Sequence, residues 1–202
     1  MRLLNSLFLV IILLLSACGG YPNTPSDTTR THTEFNFDKE VFDKGGKAYV
    51  VIEAKNNAGA PFTVYNYLKF KDKNGDTYEL QMKNDQPYSF LFTPGTYTIT
   101  GYRLYGSKSA GYVRSIVDLD FTGLITGEFT VKAGEAIYLG QAVMDIIHAR
   151  HSFFFKTTPK DLMYDIKIVN RFDKLTEEQL EFFKKESGLT LKPRPMSWRK
   201  KE

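Results

Sequence analysis

The residues best suited to metal chemistry lie in one short segment of the chain. His148 and His151 are three residues apart, and Asp145 precedes His148 by the same interval. If this segment were helical, the spacing would bring the three side chains to one face, where imidazole and carboxylate groups could bind a divalent metal. No other histidine or free cysteine is placed to complete a usual zinc set. We therefore predict a surface loop or helical turn without a metal, and keep a metal-assisted hydrolase as the weaker alternative.

Motifs for nucleophilic catalysis and phosphate binding are missing from the sequence. It contains no Gly-x-Ser-x-Gly turn. Gly106–Gly111 lacks the Gly-Lys-Ser/Thr order of a phosphate-binding loop, so we predict a mobile loop there. Asp118 and Asp120 could form the paired carboxylates of a glycosidase, but charged residues at strand edges are a commoner reason for such a pair. We predict no catalytic residue and no cofactor, and hence a protein that is not an enzyme.

Two tyrosines suggest a surface for binding. Tyr65 and Tyr67 share one side of a predicted strand with Lys69 and Lys71, because alternate residues of a strand face the same way. Tyrosines that face solvent on a sheet can stack on sugars or form part of a protein interface. Ordinary cross-strand packing, or a face covered by the C-terminal helix, would use the same residues. We favour such packing and keep sugar binding as the alternative.

The beginning of the chain has the three parts of a secretory signal. Arg2 supplies a positive charge, Leu7–Leu15 is continuously apolar, and the small residues Ser16 and Ala17 follow. The apolar run is too short for a bilayer core, which needs about 20 apolar residues. It matches the hydrophobic region of a signal peptide with small residues at the cut site. The pattern predicts that residues 1–17 are removed.

The tetrapeptide Leu15-Ser16-Ala17-Cys18 resembles the lipobox of bacterial lipoproteins. The resemblance implies that Cys18 becomes the first residue of the mature protein and carries a diacylglycerol, with fatty acids such as palmitate, on its sulfur. Two or more acyl chains give a stable membrane attachment that one chain does not give. Gly19 stands where inner-membrane lipoproteins of enteric bacteria commonly carry Asp. In a Gram-negative cell the resemblance therefore implies the outer membrane.

Composition and charge are those of one exported folded domain. Cys18 is the single cysteine, so the domain cannot form a disulfide once this thiol is lipidated. The chain of 202 residues is 42% apolar and 14% aromatic, which argues against disorder of its body. Its formal charge of +4 does not suggest nucleic acid as a partner. Residues 18–33 are rich in Pro, Gly and Thr and predict a flexible tether.

About eight short strand patterns, separated by turn residues, predict a single antiparallel β-sandwich. Lys47–Ala54 is almost continuously apolar, as in a strand that is covered on both faces. Phe62–Phe70 alternates, and Asn74-Gly75, a pair suited to a tight hairpin, joins it to a second alternating segment. Asn66 interrupts the apolar side of this hairpin and needs a hydrogen-bond partner if it is buried.

Two further turns predict hairpins in the same way. Pro94-Gly95 follows the alternating segment Tyr88–Phe92, and Lys132–Gly134 separates two more alternating segments. Gly101 lies where the apolar parity shifts by one residue, which predicts a β-bulge.

One helix and an extended tail are predicted near the C-terminus. Thr176 and Gln179 have the spacing of a capping box, and Gly188 is placed to end the helix. Leu180 and Phe183 would pack this helix on the sheet. Beyond it, the basic residues next to the only tryptophan could rest on anionic head groups, but a solvated and frayed terminus is the commoner arrangement, and we predict that.

Two segments together resemble a known class of domain. Phe92–Ile99 contains a Pro-Gly-Thr-Tyr turn that enters a strand, and Gly127–Leu139 has the pattern Phe-x-Val-x-x-Gly-x-x-x-Tyr-Leu. Both are similar to small prealbumin-like sandwich domains of uncharacterised bacterial lipoproteins, with related patterns in carboxypeptidase-regulatory-like sandwiches. The resemblance implies a prealbumin- or immunoglobulin-like sandwich and supplies no catalytic residues.

These patterns divide the chain into four parts. They are a signal peptide at 1–17, a lipidated N-terminus and tether at 18–33, a β-sandwich domain at 34–170, and a C-terminal helix with a basic tail at 171–202. We predict a membrane-anchored lipoprotein of the bacterial envelope with a non-enzymatic binding or scaffolding domain, whose partner is an envelope protein or a cell-wall glycan. A carbohydrate-binding surface lipoprotein is the main alternative.

Overall fold

The computed structural model describes residues 30–31, 37–57, 63–110, 113–149 and 162–201. These residues form twelve strands, two α-helices and one 3₁₀ turn, which confirms the predicted mainly-β class. The strands are β1 (Arg30–Thr31), β2 (Ala48–Asn56), β3 (Thr63–Lys71), β4 (Thr77–Lys83), β5 (Pro87–Phe92), β6 (Gly95–Ala110), β7 (Val113–Asp120), β8 (Ile125–Val131), β9 (Ala136–Ala149), β10 (Leu162–Val169), β11 (Lys192–Pro193) and β12 (Arg199–Lys200). The helices are α1 (Lys39–Asp43) and α2 (Glu177–Ser187), and the 3₁₀ turn is Phe172–Lys174.

The strands form two sheets. The seven-stranded sheet has the order β1-β4-β3-β6-β8-β12, and β7 pairs with the second half of β6. The five-stranded sheet has the order β10-β9-β2-β5, and β11 pairs with β9. Most neighbours are antiparallel, as predicted, but β2 and β9 run parallel in the middle of the five-stranded sheet. Parallel neighbours need a long crossover, and here the crossover contains most of the other sheet.

One apolar core lies between the two sheets. Val50 and Ile52 of β2 belong to the same buried cluster as Leu68 and Phe70 of β3, so the inner faces of both sheets contribute to it. This sandwich-like packing agrees with the predicted architecture. Aromatic rings surround Phe70 with centroids 5.5 to 5.7 Å from its own, and they belong to Tyr78, Phe92, Tyr97 and Phe129.

The β3–β4 hairpin forms as the sequence predicts, with a different turn. The Gly75 N–H donates to the Asp72 carbonyl over 3.1 Å, and Gly75 has a φ of 89°, which glycine adopts without strain. Asn74 does not enter the left-handed region, so only one residue of the loop has positive φ. The Asp72 carboxylate accepts from the N–H groups of Asn74 and Asp76 at 2.8 and 3.0 Å. The loop is therefore a three-residue turn held by Asp72.

The other two predicted hairpins are wrong. Pro94-Gly95 joins β5 of the five-stranded sheet to β6 of the seven-stranded sheet, and Lys132–Gly134 joins β8 to β9, again in different sheets. Alternating apolar residues identify a strand but not its sheet, because the inner face of either sheet buries one side of the pattern. Both turns are thus crossings between the two sheets.

The strand β6 is longer than the sequence indicates. The bulge predicted at Gly101 is confirmed, since Lys69 lies opposite Gly101 and the next residue, Phe70, lies opposite Ile99. The loop predicted from Gly106 is wrong, because β6 continues to Ala110 and pairs there with β7. Pairing with β7 makes the second half of β6 a strand, and the small residues of this segment do not indicate that pairing.

The predicted helix is confirmed as α2. The Thr176 side chain accepts from the Gln179 N–H at 3.1 Å, the Gln179 side chain accepts from the Thr176 N–H at 2.9 Å, and Gly188 ends the helix with a φ of 71°. Phe183 is buried with Tyr49 in a second cluster, on the outer face of the five-stranded sheet. The helix α2 covers one face of β2 and the core between the sheets covers the other, which explains the continuously apolar sequence of this strand.

The C-terminal residues bind to both sheets. β11 pairs with β9 and β12 pairs with β8, while Met196 and Trp198 between them are buried in the core. The N–H of Glu128 donates to Ser197 Oγ over 2.8 Å. The predicted frayed terminus is therefore wrong, because two apolar side chains of the tail complete the core. Residues 192–201 form a C-terminal strap across one side of the two sheets.

The described part of the N-terminal region is short. Arg30 and Thr31, inside the predicted tether, pair in parallel with Tyr78 and Glu79 of β4. After a gap in the described residues, α1 follows, with an N-terminal cap at Asp38. Within the described ranges, no helix has the length and hydropathy needed to cross a membrane.

Candidate functional site

The tyrosines singled out in the sequence lie on the outer face of the seven-stranded sheet. Tyr65 and Tyr67 are partly exposed, whereas Asn66 between them is buried, so the predicted shared side is confirmed. The register places Tyr65 opposite Tyr105 of β6, and Tyr67 opposite Arg103. Side chains in such positions are direct neighbours across the strands. Tyr65, Tyr67, Tyr105 and Arg103 form the tyrosine face.

Arg103 is held in place by Asp118 of β7. Its Nε donates to Asp118 Oδ1 over 2.8 Å, and a terminal nitrogen donates to Oδ2 over 3.0 Å. This two-bond geometry is the strong form of an arginine–carboxylate pair, and the hydrogen bonds with Asp118 raise the pKa of Arg103. The guanidinium carbon also lies 5.5 Å from the centroid of the Tyr105 ring, within cation–π range. Arg103 and Tyr105 are therefore oriented together.

A second ion pair lies beside the tyrosine face. Lys69 Nζ is 2.8 Å from Asp120 Oδ2, and the Lys69 side chain is largely buried. Burial alone would raise the pKa of Asp120, but hydrogen bonds from Lys69 and Thr122 outweigh that effect and lower the pKa. The aspartates at 118 and 120, considered in the sequence as paired carboxylates, are thus each bound to a different cation of the sheet. In each ion pair the charge of the cation is balanced by its aspartate.

The two outer faces of the sandwich are covered differently. Phe42 of α1 and Phe183 of α2 are both buried against the five-stranded sheet. Among the described residues, neither helix packs on the tyrosine face, so the helical cover considered in the sequence is wrong. Burial among its neighbours, and then the charge of Glu79, raise the pKa of Tyr67, which keeps its hydroxyl neutral and able to donate a hydrogen bond.

The candidate metal residues do not share a helix. Asp145 and His148 lie in the strand β9, where a rise of about 3.3 Å per residue places their backbones about 10 Å apart. The Asp145 carboxylate is 3.4 Å from Lys167 Nζ. His151 lies outside the described residues, as do Cys18 and His32. No group of three metal-binding side chains occurs in the part of the chain that is described.

A buried carboxylate is the main polar feature that the sequence did not reveal. Glu53 of β2 is 4% exposed and accepts hydrogen bonds from the Tyr138 hydroxyl at 2.7 Å and from Gln141 Nε2 at 3.2 Å. Arg171, which precedes α2, lies 3.8 Å from Glu53 and 3.5 Å from Asp85. Burial and the bond to Glu53 raise the pKa of Tyr138. The cluster fastens the start of the helical segment to the sheet, and its members are too distant in sequence to form a motif.

A second polar cluster lies inside the core, where Asn66 finds the partners that its position demands. Asn66 is fully buried, and its Oδ1 accepts from Asn56 Nδ2 at 2.7 Å and from the Tyr102 hydroxyl at 2.5 Å. Its Nδ2 donates to Asn84 Oδ1 over 2.8 Å. Burial raises the pKa of Tyr102 well above its usual value, so this hydroxyl stays a donor. The network joins both sheets through polar groups.

Comparison with other proteins adds nothing to this geometry. No protein-family model, curated protein or solved structure matches the chain. The functional interpretation therefore rests on the chemistry of the described surfaces. The tyrosine face places aromatic rings, hydroxyl groups and an oriented guanidinium side by side on a sheet face that neither described helix covers.

Proposed function

We propose that the protein is a lipid-anchored lipoprotein of the bacterial envelope, placed in the outer membrane, whose prealbumin-like sandwich is a non-enzymatic binding domain. The lipobox ending at Cys18 supports the anchor, and Gly19 supports the destination. The tyrosine face is the binding surface of this proposal. Its partner is an envelope protein or a component of the cell wall.

The difference between the two outer faces carries the proposal. Apolar residues of α1 and α2 bury one of them, as in an ordinary core. On the other, Tyr65, Tyr67 and Tyr105 stay partly exposed around Arg103. Tyrosine and arginine are the residue types enriched where proteins bind partners. A rigid sheet that presents them in fixed register loses little conformational freedom on binding.

A glycan is the candidate partner that one specific observation favours. Tyr65 and Tyr105 are direct neighbours across the strands, and Tyr67 follows two residues along β3, about 7 Å away. Adjacent rings of this kind can stack on the apolar faces of successive sugars. The pairing of Arg103 with Asp118 neutralises the guanidinium. Arg103 therefore offers a ligand hydrogen-bond donors without an unbalanced charge of its own.

Replacing Cys18 by alanine is expected to abolish membrane attachment. Alanine has no sulfur to bear the diacylglycerol, so neither the lipid nor the cut that depends on it should be found. Intact-mass analysis of membrane-extracted protein measures both, and the wild type should begin at Cys18 with its lipid. Gly20→Ala, two residues further on, serves as the control and should be processed normally. A wild-type protein that retains residues 1–17 without lipid would contradict the proposed anchor.

Removing the three aromatic rings of the tyrosine face is expected to weaken binding to the cell wall at least tenfold, as loss of central interface residues does. The full-length lipoprotein in detergent, wild type and Tyr65→Ala/Tyr67→Ala/Tyr105→Ala, is co-sedimented with purified peptidoglycan sacculi. The control is Phe182→Ala, which removes a ring that is 57% exposed on α2.

Sacculi with and without protease treatment separate the two classes of partner. Binding to both preparations supports a glycan, and binding only to untreated sacculi supports a protein bound to the wall. The proposal fails if the wild type sediments with neither, or if the triple variant sediments as well as the wild type.

A further inference from the structure

A polar cleft lies at the end of the sandwich where the chain crosses between the sheets. Its volume is about 300 Å³, and it is enclosed by the β3–β4 loop, by the crossing from β5 to β6, and by Lys47 before β2. This is the lower end of the size range of small-molecule sites, and it suits a ligand of about one sugar unit. The cleft is separate from the tyrosine face, which lies on the flat of the seven-stranded sheet.

Lys47 supplies an uncompensated charge in this cleft. Its side chain is half-buried, and Nζ donates one hydrogen bond, to Thr93 Oγ1 over 2.7 Å. It forms no ion pair with any residue in the described ranges. An ammonium group has three donors, and a partly desolvated charge is costly when no opposite charge accompanies it. An anion bound in the cleft would satisfy both requirements.

Asp72, one of the two acidic residues that line the cleft, is already engaged. One oxygen of Asp72 accepts the two N–H groups of the turn, and the other is 3.3 Å from the Tyr78 hydroxyl. Lys73 and Asp76, on the rim, are exposed, and their side chains have no partner among the described residues. The cleft thus offers two ammonium groups without an ion pair in the described ranges, and two carboxylates, of which Asp72 is occupied by hydrogen bonds and Asp76 has no side-chain partner there.

The floor of the cleft is rigid. The Tyr97 hydroxyl donates to the Thr93 carbonyl over 2.7 Å, and burial, followed by the neighbouring Tyr78 and Asp72, raises the pKa of Tyr97 to about 12. The Tyr78 ring stacks on Phe70 in the core. Groups that are fixed before binding lose little entropy when a ligand arrives.

We propose that this cleft binds a small hydroxylated carboxylate of the size of one sugar acid. The ligand carboxylate accepts hydrogen bonds from Lys47 and Lys73, and its hydroxyl groups donate to Asp76. A neutral sugar leaves the charge of Lys47 uncompensated, so the carboxylate is the feature that the site selects. The same chemistry is present in a free uronic acid and in a uronic acid unit of a polysaccharide.

Isothermal titration calorimetry of the full-length lipoprotein in detergent tests this site with D-glucuronate and D-glucose, which differ by the carboxylate. We expect a dissociation constant of about 1 mM or below for glucuronate and at least tenfold weaker binding of glucose. Lys47→Met should weaken glucuronate binding at least tenfold, the range of a hydrogen bond to a charged group. Lys185→Met, on α2, is the matched control and should bind like the wild type.

Two further variants keep the test decisive if Lys47→Met unfolds. Asp76→Asn removes a like charge from the rim but keeps an amide oxygen that accepts from a ligand hydroxyl, so it should tighten glucuronate binding about threefold, as expected for a unit charge several ångströms away in water. The triple tyrosine variant should bind glucuronate normally, which separates this site from the proposed function. The site is overturned if glucuronate gives no saturable heat up to about 50 mM, if glucose binds equally, or if neither Lys47→Met nor Asp76→Asn changes the affinity.

Discussion

Trp198→Ala is expected to lower the free energy of unfolding by about 3–5 kcal/mol. The indole is 9% exposed, and its ring meets that of Tyr102 edge-on at 5.2 Å in the core between the sheets. Alanine would leave a cavity there and loosen the C-terminal strap, which the backbone pairs of β11 and β12 hold at both ends. Urea denaturation followed by circular dichroism measures the change, since the only tryptophan of the chain is lost.

Trp198→Phe is the matched control for this prediction. Trp198 Nε1 is buried and has no hydrogen-bond partner among the described residues. Phenylalanine keeps an aromatic ring, so it preserves part of the packing that alanine loses. It also removes the unsatisfied donor and with it the cost of burying that group. We expect it to cost less than half as much as alanine. A loss below about 1 kcal/mol for Trp198→Ala would show that the strap does not complete the core.

Asn66→Leu is expected to destabilise the domain by about 2 kcal/mol, although leucine has a similar volume and is apolar. The substitution strands the Tyr102 hydroxyl inside the core and removes one of the two acceptors of Asn56 Nδ2, which keeps its bond to Asn84. Each buried polar group without a partner costs about 1–3 kcal/mol. Thermal and urea unfolding of the variant measure the loss.

A second substitution should return part of that stability. Asn66→Leu/Tyr102→Phe removes the stranded hydroxyl, so the double variant should be more stable than Asn66→Leu alone by about 1 kcal/mol or more. Tyr102→Phe alone should destabilise, because it leaves Asn66 Oδ1 with one donor fewer. Additive effects of the two substitutions would show that these side chains do not interact.

Features with a local cause could be predicted from the sequence. The capping box of α2 depends on Thr176 and Gln179, which are three residues apart, and the β3–β4 turn depends on Gly75. The environment of Asn66 could be predicted only in part from local sequence. Alternation assigns it to the inner face and burial demands partners, but Asn56 and Asn84 come from other segments. The need for partners was predictable, and their identity was not.

Features with a distant cause could not be predicted. The turn at Pro94-Gly95 has the residues of a hairpin, yet packing sends its two strands to different sheets. Met196 and Trp198 are the only two apolar residues in their part of the tail, which also contains prolines. Their burial therefore could not be predicted from a repeating apolar pattern. The structure explains Gly127, because a Cβ there would lie 2.1 Å from the Ser197 carbonyl oxygen, but a glycine by itself does not indicate that contact in the sequence. The strap requires that glycine for its close approach.

Two of the four residues of the tyrosine face could be predicted from the sequence. Tyr65 and Tyr67 follow from the alternation of one strand, which assigns both to the side opposite Asn66. Tyr105 and Arg103 join them only through the register of β3 with β6, and that register includes the bulge at position 101. A shift of one residue would reverse the side that they face. Sequence patterning alone does not determine such a shift.

The parallel pairing of β2 with β9 has a consequence for the order of folding. Tyr49 lies opposite Ala136, so this contact closes a loop of about 87 residues, and long loops of this kind slow folding to milliseconds or seconds. The β3–β4 hairpin can form as soon as its own residues are available. β2, apolar on both faces, can pair with β5 first, but its other edge must wait for β9 and can meanwhile pair with other chains. Until β9 is available, β2 is therefore the segment of this sheet most open to association between chains.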